Sequence, residues 1–167
     1  FSIRVNHEIV IELVDLDVSH ENDAETILVR GVKWRVARGD FWVVGGDQAS
    51  GKTSLLATAA GLNRPASGTL RIFGRELHQA REAEQIDWRK RIGFVYENGG
   101  RLLSQLTVAE NIALPLQYHL DIDEAQLNAR VDELLALVEM QSYAGMVPSR
   151  LNVRLQQRAA LARAMAV

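Results

Sequence analysis

The sequence has 167 residues, 47% of them hydrophobic and 24% charged, with a formal net charge of −2. This length suits one domain with a sizeable core, and the composition is globular, not disordered. The faintly acidic balance gives no electrostatic case for a nucleic-acid partner, and the lack of cysteine excludes disulfides and thiolate catalysis. No apolar run approaches the roughly 20 residues that span a bilayer; NIALPLQYHL is too short and holds Pro115. No basic-then-apolar leader opens the chain, and a start on Phe1 in place of Met is expected of a trimmed chain or a fragment.

The first forty residues read as strands. Ile9 to Val18 alternates loosely, and HENDAET (His20 to Thr26) reads as a polar loop or turn. In VKWRVARGD, Val32, Trp34 and Val36 point one way, with Lys33 and Arg35 the other. GDFWVVGG (Gly39 to Gly46) is apolar without alternation, as expected of a strand buried on both faces. A Leu- and Ala-rich helix follows Lys52 and stops at Gly61, a short strand covers Thr69 to Phe73, and RIGFVYE (Arg91 to Glu97) reads as a second apolar strand.

From Leu102 the pattern turns helical. Thr107, with Glu110 three residues on, forms a capping box. Leu127, Val131, Leu134, Leu135 and Val138 share one helical face. RLQQRAALARAMAV is a further helix with small residues on its inner face. The implied class is α/β: a phosphate-loop core with an N-terminal antiparallel β subdomain and an inserted helical subdomain. The expected division is 1–97 for the β subdomain and core, 98–157 for the helical subdomain, and 158–167 for a helix returning to the core.

The chemistry lies between strand and helix. Gly46-Asp47-Gln48-Ala49-Ser50-Gly51-Lys52-Thr53 matches G-x-x-x-x-G-K-[ST] at every fixed position, and Ser54 completes the expected cofactor-binding set. Glycines let the backbone wrap so that successive N–H groups face phosphate oxygens. The helix start adds its positive dipole end. Lys52 supplies a point charge to the β- and γ-phosphates of a nucleotide, and the Thr53 hydroxyl is placed to hold Mg²⁺. The alternative, a Gly-rich structural turn, explains neither the lysine nor the strand–loop–helix context.

The chain from about Ile9 to Val167 resembles the nucleotide-binding domain of ABC-type ATPases. GDFWVVGGDQASGKTSLL is followed by GLNRPASGTLRIFGREL, similar to the family's P-S-G-x-I-x-x-x-G, and then by LTVAEN, similar to L-T-V-x-E-N. Last comes LNVRLQQRAALARAMA, similar to L-S-G-G-Q-x-x-R-x-A-x-A-R-A. Pro65, Ser67, Gly68, Gly74, Asn111, Arg158, Ala162, Arg163 and Ala164 sit where that pattern wants them. Within the family the look is nearest to ATPases of MCE-type lipid transport, cell division and lipoprotein release. The resemblance implies an ATP-binding subunit on the cytoplasmic face of a membrane. It implies two partners, a transmembrane permease and a second ABC-type subunit in a homo- or heterodimer.

Three positions depart from the pattern. Glu97 stands where the family has the glutamine that contacts Mg²⁺ and the attacking water. It is thus the candidate altered catalytic and metal position, the alternative being a surface glutamate after a strand. Leu151-Asn152-Val153-Arg154-Leu155 replaces L-S-G-G-Q. Side chains at Val153 and Arg154 should exclude a partner's γ-phosphate; the alternatives are a plain helix cap by Asn152 with a solvated arginine, and an Arg154 that reaches a phosphate as a cation. The adenine-stacking aromatic is not obvious, and His20 is the nearest candidate by position, in what is alternatively a plain loop. His7, His78 and His119 have no metal-ligand spacing.

No Asp-Glu strand, the family's source of a general base, follows ARAMA within the sequence. The 167-residue chain is therefore expected to bind ATP and hydrolyse it poorly or not at all. A degenerate module binding nucleotide as a structural or regulatory ligand is the competing expectation. A small phosphate-loop kinase is a third, disfavoured because LTVAEN and RAALARA have no role in it.

Overall fold

The computed structural model describes residues 8–20, 23–98 and 101–166. His7, Glu21 and Asn22, read above, lie outside these residues. The chain forms two compact units, Phe1–Arg89 and Lys90–Val167.

The first unit is built on an antiparallel sheet in the order β2–β1–β3–β4, formed by β1 (Ile9–His20), β2 (Asp23–Ala37), β3 (Ser67–Ile72) and β4 (Arg75–Glu76). The loose alternation of β1 has a physical cause. Asp15 takes a left-handed φ of 46°, and the register slips there: Leu13 faces Trp34, yet Leu16 faces Val32. The extra residue is a bulge, and it resets the phase so that Leu13, Leu16 and Val18 are all buried. Gly68 of β3 crosses the bulge at φ 80°; a Cβ there would lie 2.3 Å from the Asp15 carbonyl oxygen, so no side chain fits. Asp17 then ties three strands together. Its carboxylate accepts the Gly31 N–H at 2.8 Å and a Ser67 hydroxyl hydrogen bond, and these two donors hold its pKa below the usual range.

Helix α1 (Lys52–Ala59) covers this sheet with Ala57, Thr58 and Ala59 buried, and it ends before Gly61. A charged helix, α2 (Glu82–Arg89), buries only Trp88.

Three expectations need correction. HENDAET is mostly strand: β1 runs through His20 and β2 resumes at Asp23, so the polar residues are a hairpin end. GDFWVVGG forms no strand, and Phe41 is 90% exposed, because no described segment offers its N–H and C=O groups a ladder. In the second unit RIGFVYE is likewise no strand.

The second unit is helical: α3 (Val108–His119), α4 (Glu124–Leu137) and α5 (Val153–Ala164). Its core joins Val108, Ile112 and Leu116 to Val131, Leu134 and Leu135, with Ala159 and Ala162 keeping α5 thin where it meets α3. Both longer capping boxes are closed, Thr107 with Glu110 and Asp123 with Gln126. Asn111 is fully buried. Its Oδ1 accepts the Leu103 N–H at 2.8 Å, and its Nδ2 donates to the carbonyls of Leu103, Leu106 and Thr107. One amide thus satisfies the whole turn into α3, which gives the asparagine of LTVAEN a structural role. Pro115 does not break the helix; α3 runs through it. Leu116 is fully buried, and the exposed face of α3 carries Leu114 and Tyr118.

Candidate functional site

The loop Gly46–Thr53 lies in the first unit. It tightens through a turn in which the Ser50 N–H donates to the Asp47 carbonyl, and it enters α1 at Gly51. The signs of φ alternate at its tip. Ala49 stands at 62° and Gly51 at 87°, with Ser50 between them outside the positive region. Such alternation turns successive backbone N–H groups toward one concave side, a nest for an anion. A non-glycine residue in the left-handed region is strained, and strain of this kind concentrates at functional sites.

Gly51 is required on two grounds. Its φ is left-handed, and a Cβ would sit 2.9 Å from Cγ2 of Val29 and 3.1 Å from Cβ of Leu28. The loop is therefore backed by β2, through two residues that the sequence motif does not mark. No side chain caps α1, and no acidic residue lies in its first turn. Its positive dipole end favours an anion.

The lysine folds back over the loop. Lys52 Nζ donates to the carbonyl oxygens of Gly46, at 2.8 Å, and Asp47, and approaches Ser50 Oγ at 3.3 Å. All three ammonium donors thus point into the loop and fix the charge over the nest. Asp47, Gln48, Ala49, Ser50 and Thr53 are exposed, and Lys52 and Ser54 half-buried. Gly46 to Ser54 therefore lie together in one loop and helix start, whose N–H groups and ammonium have the chemistry that a phosphate group needs. Thr53 is its only residue among those expected to hold a metal.

Two further candidates are His20 and Glu97. His20 ends β1 in register with Asp23, exposed at the hairpin end. Glu97 belongs to the second unit, where it is exposed in the turn after Tyr96. That turn is anchored to α5: Gln157 Nε2 donates to the Tyr96 carbonyl at 2.9 Å, and the Arg101 guanidinium lies 3.9 Å from the Tyr96 ring centre. At the start of α5, Asn152 Oδ1 accepts the Leu155 N–H at 3.0 Å, so the helix carries its own cap. Val153 is 57% exposed and Arg154 is exposed beside it.

The sequence pattern of the family described as ABC transporter matches residues 29–167. The chain belongs to the ABC transporter family. The chain is 38% identical over 142 residues to the methionine import ATP-binding protein MetN of Brucella abortus (strain 2308), covering 85% of this chain and 38% of the relative. It is 36% identical over 152 residues to the sulfate/thiosulfate import ATP-binding protein CysA of Gloeobacter violaceus, covering 91% of this chain and 42% of that one. The chain thus spans about two fifths of the length of these curated relatives. Among solved structures, the dimeric post-hydrolysis state of the ATP-binding cassette MJ0796, bound to ADP and Pi, superposes with a TM-score of 0.84. It is 27% identical, with 93% of this chain and 69% of that chain covered. The α/β phosphate-loop fold expected from sequence is therefore that of ABC cassettes. No described helix is long and apolar enough to cross a membrane.

Proposed function

We propose that this chain is the ATP-binding part of an ABC transporter subunit, holding Mg-ATP against Gly46–Ser54. The observation that carries the reading is the Lys52 ammonium, held over an N–H nest at a helix start without a side-chain cap. In this reading the amides of Ala49 to Lys52 and the Lys52 ammonium take the β- and γ-phosphates, and the Thr53 hydroxyl holds Mg²⁺. The metal would supply charge neutralisation between phosphate oxygens. Glu97, at the altered glutamine position, is a second hard-oxygen donor toward that metal, and His20 is the candidate adenine-stacking group.

The partners in this reading are a transmembrane permease and a second cassette, homo- or heterodimeric, on the cytoplasmic side of a membrane. Residues 98–157 would serve as the helical subdomain that meets the permease. Support comes from the relatives' names as import ATP-binding proteins and from the dimeric cassette MJ0796. Those relatives are named for methionine and sulfate/thiosulfate import; they lend no support to the lipid-transport likeness seen in the sequence. They equally give no reason to regard the chain as a degenerate module.

The test is a titration of Mg-ATP into wild type and Lys52→Ala. Losing a charge-assisted contact worth about 1.5–3 kcal/mol should weaken binding at least about tenfold. Equal affinity in the two proteins would remove the loop from the binding site.

A further inference from the structure

A second cation-lined recess lies in the first unit, built by the turn after α1, the start of β3 and the face of α2. Its volume is about 430 Å³, and its floor includes the buried Leu70 and Leu77. Arg64 and Arg89 both line it, as do Asn63, His78 and Gln85. No aspartate or glutamate lines it.

The arginines elsewhere on this unit are mostly matched. Arg35 and Arg71 meet Glu12, Arg71 also meets Glu76, Arg38 meets Glu8, and Arg75 and Arg81 meet Glu84. The Arg64 and Arg89 side chains have no hydrogen bond or ion pair with any described residue. Two arginines without acidic partners in one recess lined by no carboxylate leave it with uncompensated positive charge, which a bound anion would offset. Gln85 is positioned by its own bond, its Nε2 donating to the Ala80 carbonyl at 3.1 Å, which leaves its amide oxygen and the Asn63 amide for orientation. A cavity of this size falls in the range of small-molecule sites, not of an extended interface.

We propose that this recess binds a small polyanion, a molecule carrying two or more carboxylate or phosphate groups, separately from the phosphate loop. Arg64 and Arg89 take its charged ends as bidentate donors, and Leu70 and Leu77 meet its carbon skeleton.

The experiment uses the full chain with Lys52→Ala, so that the loop's cation contributes nothing and a misassigned loop leaves the result readable. Citrate and, in a separate arm, inorganic pyrophosphate are titrated, with binding followed by calorimetry and by NMR shifts of the Arg64 and Arg89 guanidinium N–H groups. At least one probe should bind saturably and shift both groups. Arg64→Gln and Arg89→Gln should each weaken it about tenfold, and the double variant should abolish it. Because both side chains are exposed, the thermal midpoint should hardly move. Binding of citrate alone assigns a carboxylate ligand, and of pyrophosphate alone a phosphate ligand. The proposal is overturned if neither probe saturates, if the double variant binds as well as its parent, or if only an acidic peptide such as hexaglutamate binds.

Discussion

Helices α1 and α5 both begin at motifs that the family associates with phosphate, yet their starts are built in opposite ways. At α1 the N-cap is Gly51, left-handed and without a side chain, and the cation in its first turn is folded back over the loop. At α5 the N-cap is Asn152, which spends its carboxamide oxygen on the Leu155 N–H, and exposed Val153 and Arg154 follow. The difference is between a helix start that its own side chains leave open and one that they close. A helix N-terminus has a fixed number of orphan N–H groups. Those taken by the chain's own side chain are withdrawn from any ligand, and side chains at the next two positions stand in the path of approach.

The harshest way to break this contrast is to give Gly51 a side chain. Gly51→Val forces a β-branched residue into positive φ and against Val29. It should cost about 1–3 kcal/mol of stability and remove detectable Mg-ATP binding, read by urea denaturation and by titration. Retained affinity in a folded variant would show that the loop's shape is not what binds. The Lys52→Ala titration above comes next in size.

Opening the closed helix start is a smaller perturbation. Asn152→Ala should cost about 1 kcal/mol in chemical denaturation while leaving Mg-ATP affinity of the isolated chain unchanged. A parallel loss of affinity would mean that α5 contributes to the same site.

The mildest test uses pH on a third helix start. Glu110 of α3 accepts the Thr107 backbone N–H at 2.7 Å and the Thr107 hydroxyl at 2.8 Å. The backbone donor first, and the hydroxyl second, lower its pKa in the folded state. A lowered folded value means that this contribution is complete above the unfolded pKa of about 4.3 and fades as pH falls through the folded value. Wild type should therefore lose slightly more thermal stability than Glu110→Gln when taken from pH 6 to pH 3, since glutamine keeps a cap without titrating. Identical acid profiles would show that the box contributes nothing through charge.

What was legible in the sequence was mainly local. Capping boxes, the amphipathic face of α4 and the phosphate loop all depend on residues a few positions apart, so their spacing alone reports them. Segments whose state depends on distant partners were misjudged. GDFWVVGG looks like a buried strand because composition cannot say whether a neighbour is present to pair with it. The hairpin end was taken for a longer loop because Glu25 and Thr26 are polar, although an exposed hairpin tolerates polar residues on both faces. Helix α2 gave no signal, since it buries a single residue. At the site, the motif names Gly51 and Lys52. It is silent on Leu28 and Val29, which decide that position 51 has no room for a side chain.

The amide of Asn111 has a kinetic consequence. The turn Leu103–Thr107 has no regular secondary structure, and its residues are partly exposed. An ordinary loop of that kind would exchange its amide hydrogens in brief local openings. Here the Leu103 N–H is bonded to a side chain rooted in the fully buried middle of α3, which also grips three carbonyls of the turn. Freeing that hydrogen to solvent requires the buried amide to leave its socket and the packing of α3 to be breached. In deuterium-labelling experiments Leu103 should therefore exchange with the slow population of the helical unit, as a loop residue that opens only when its core does.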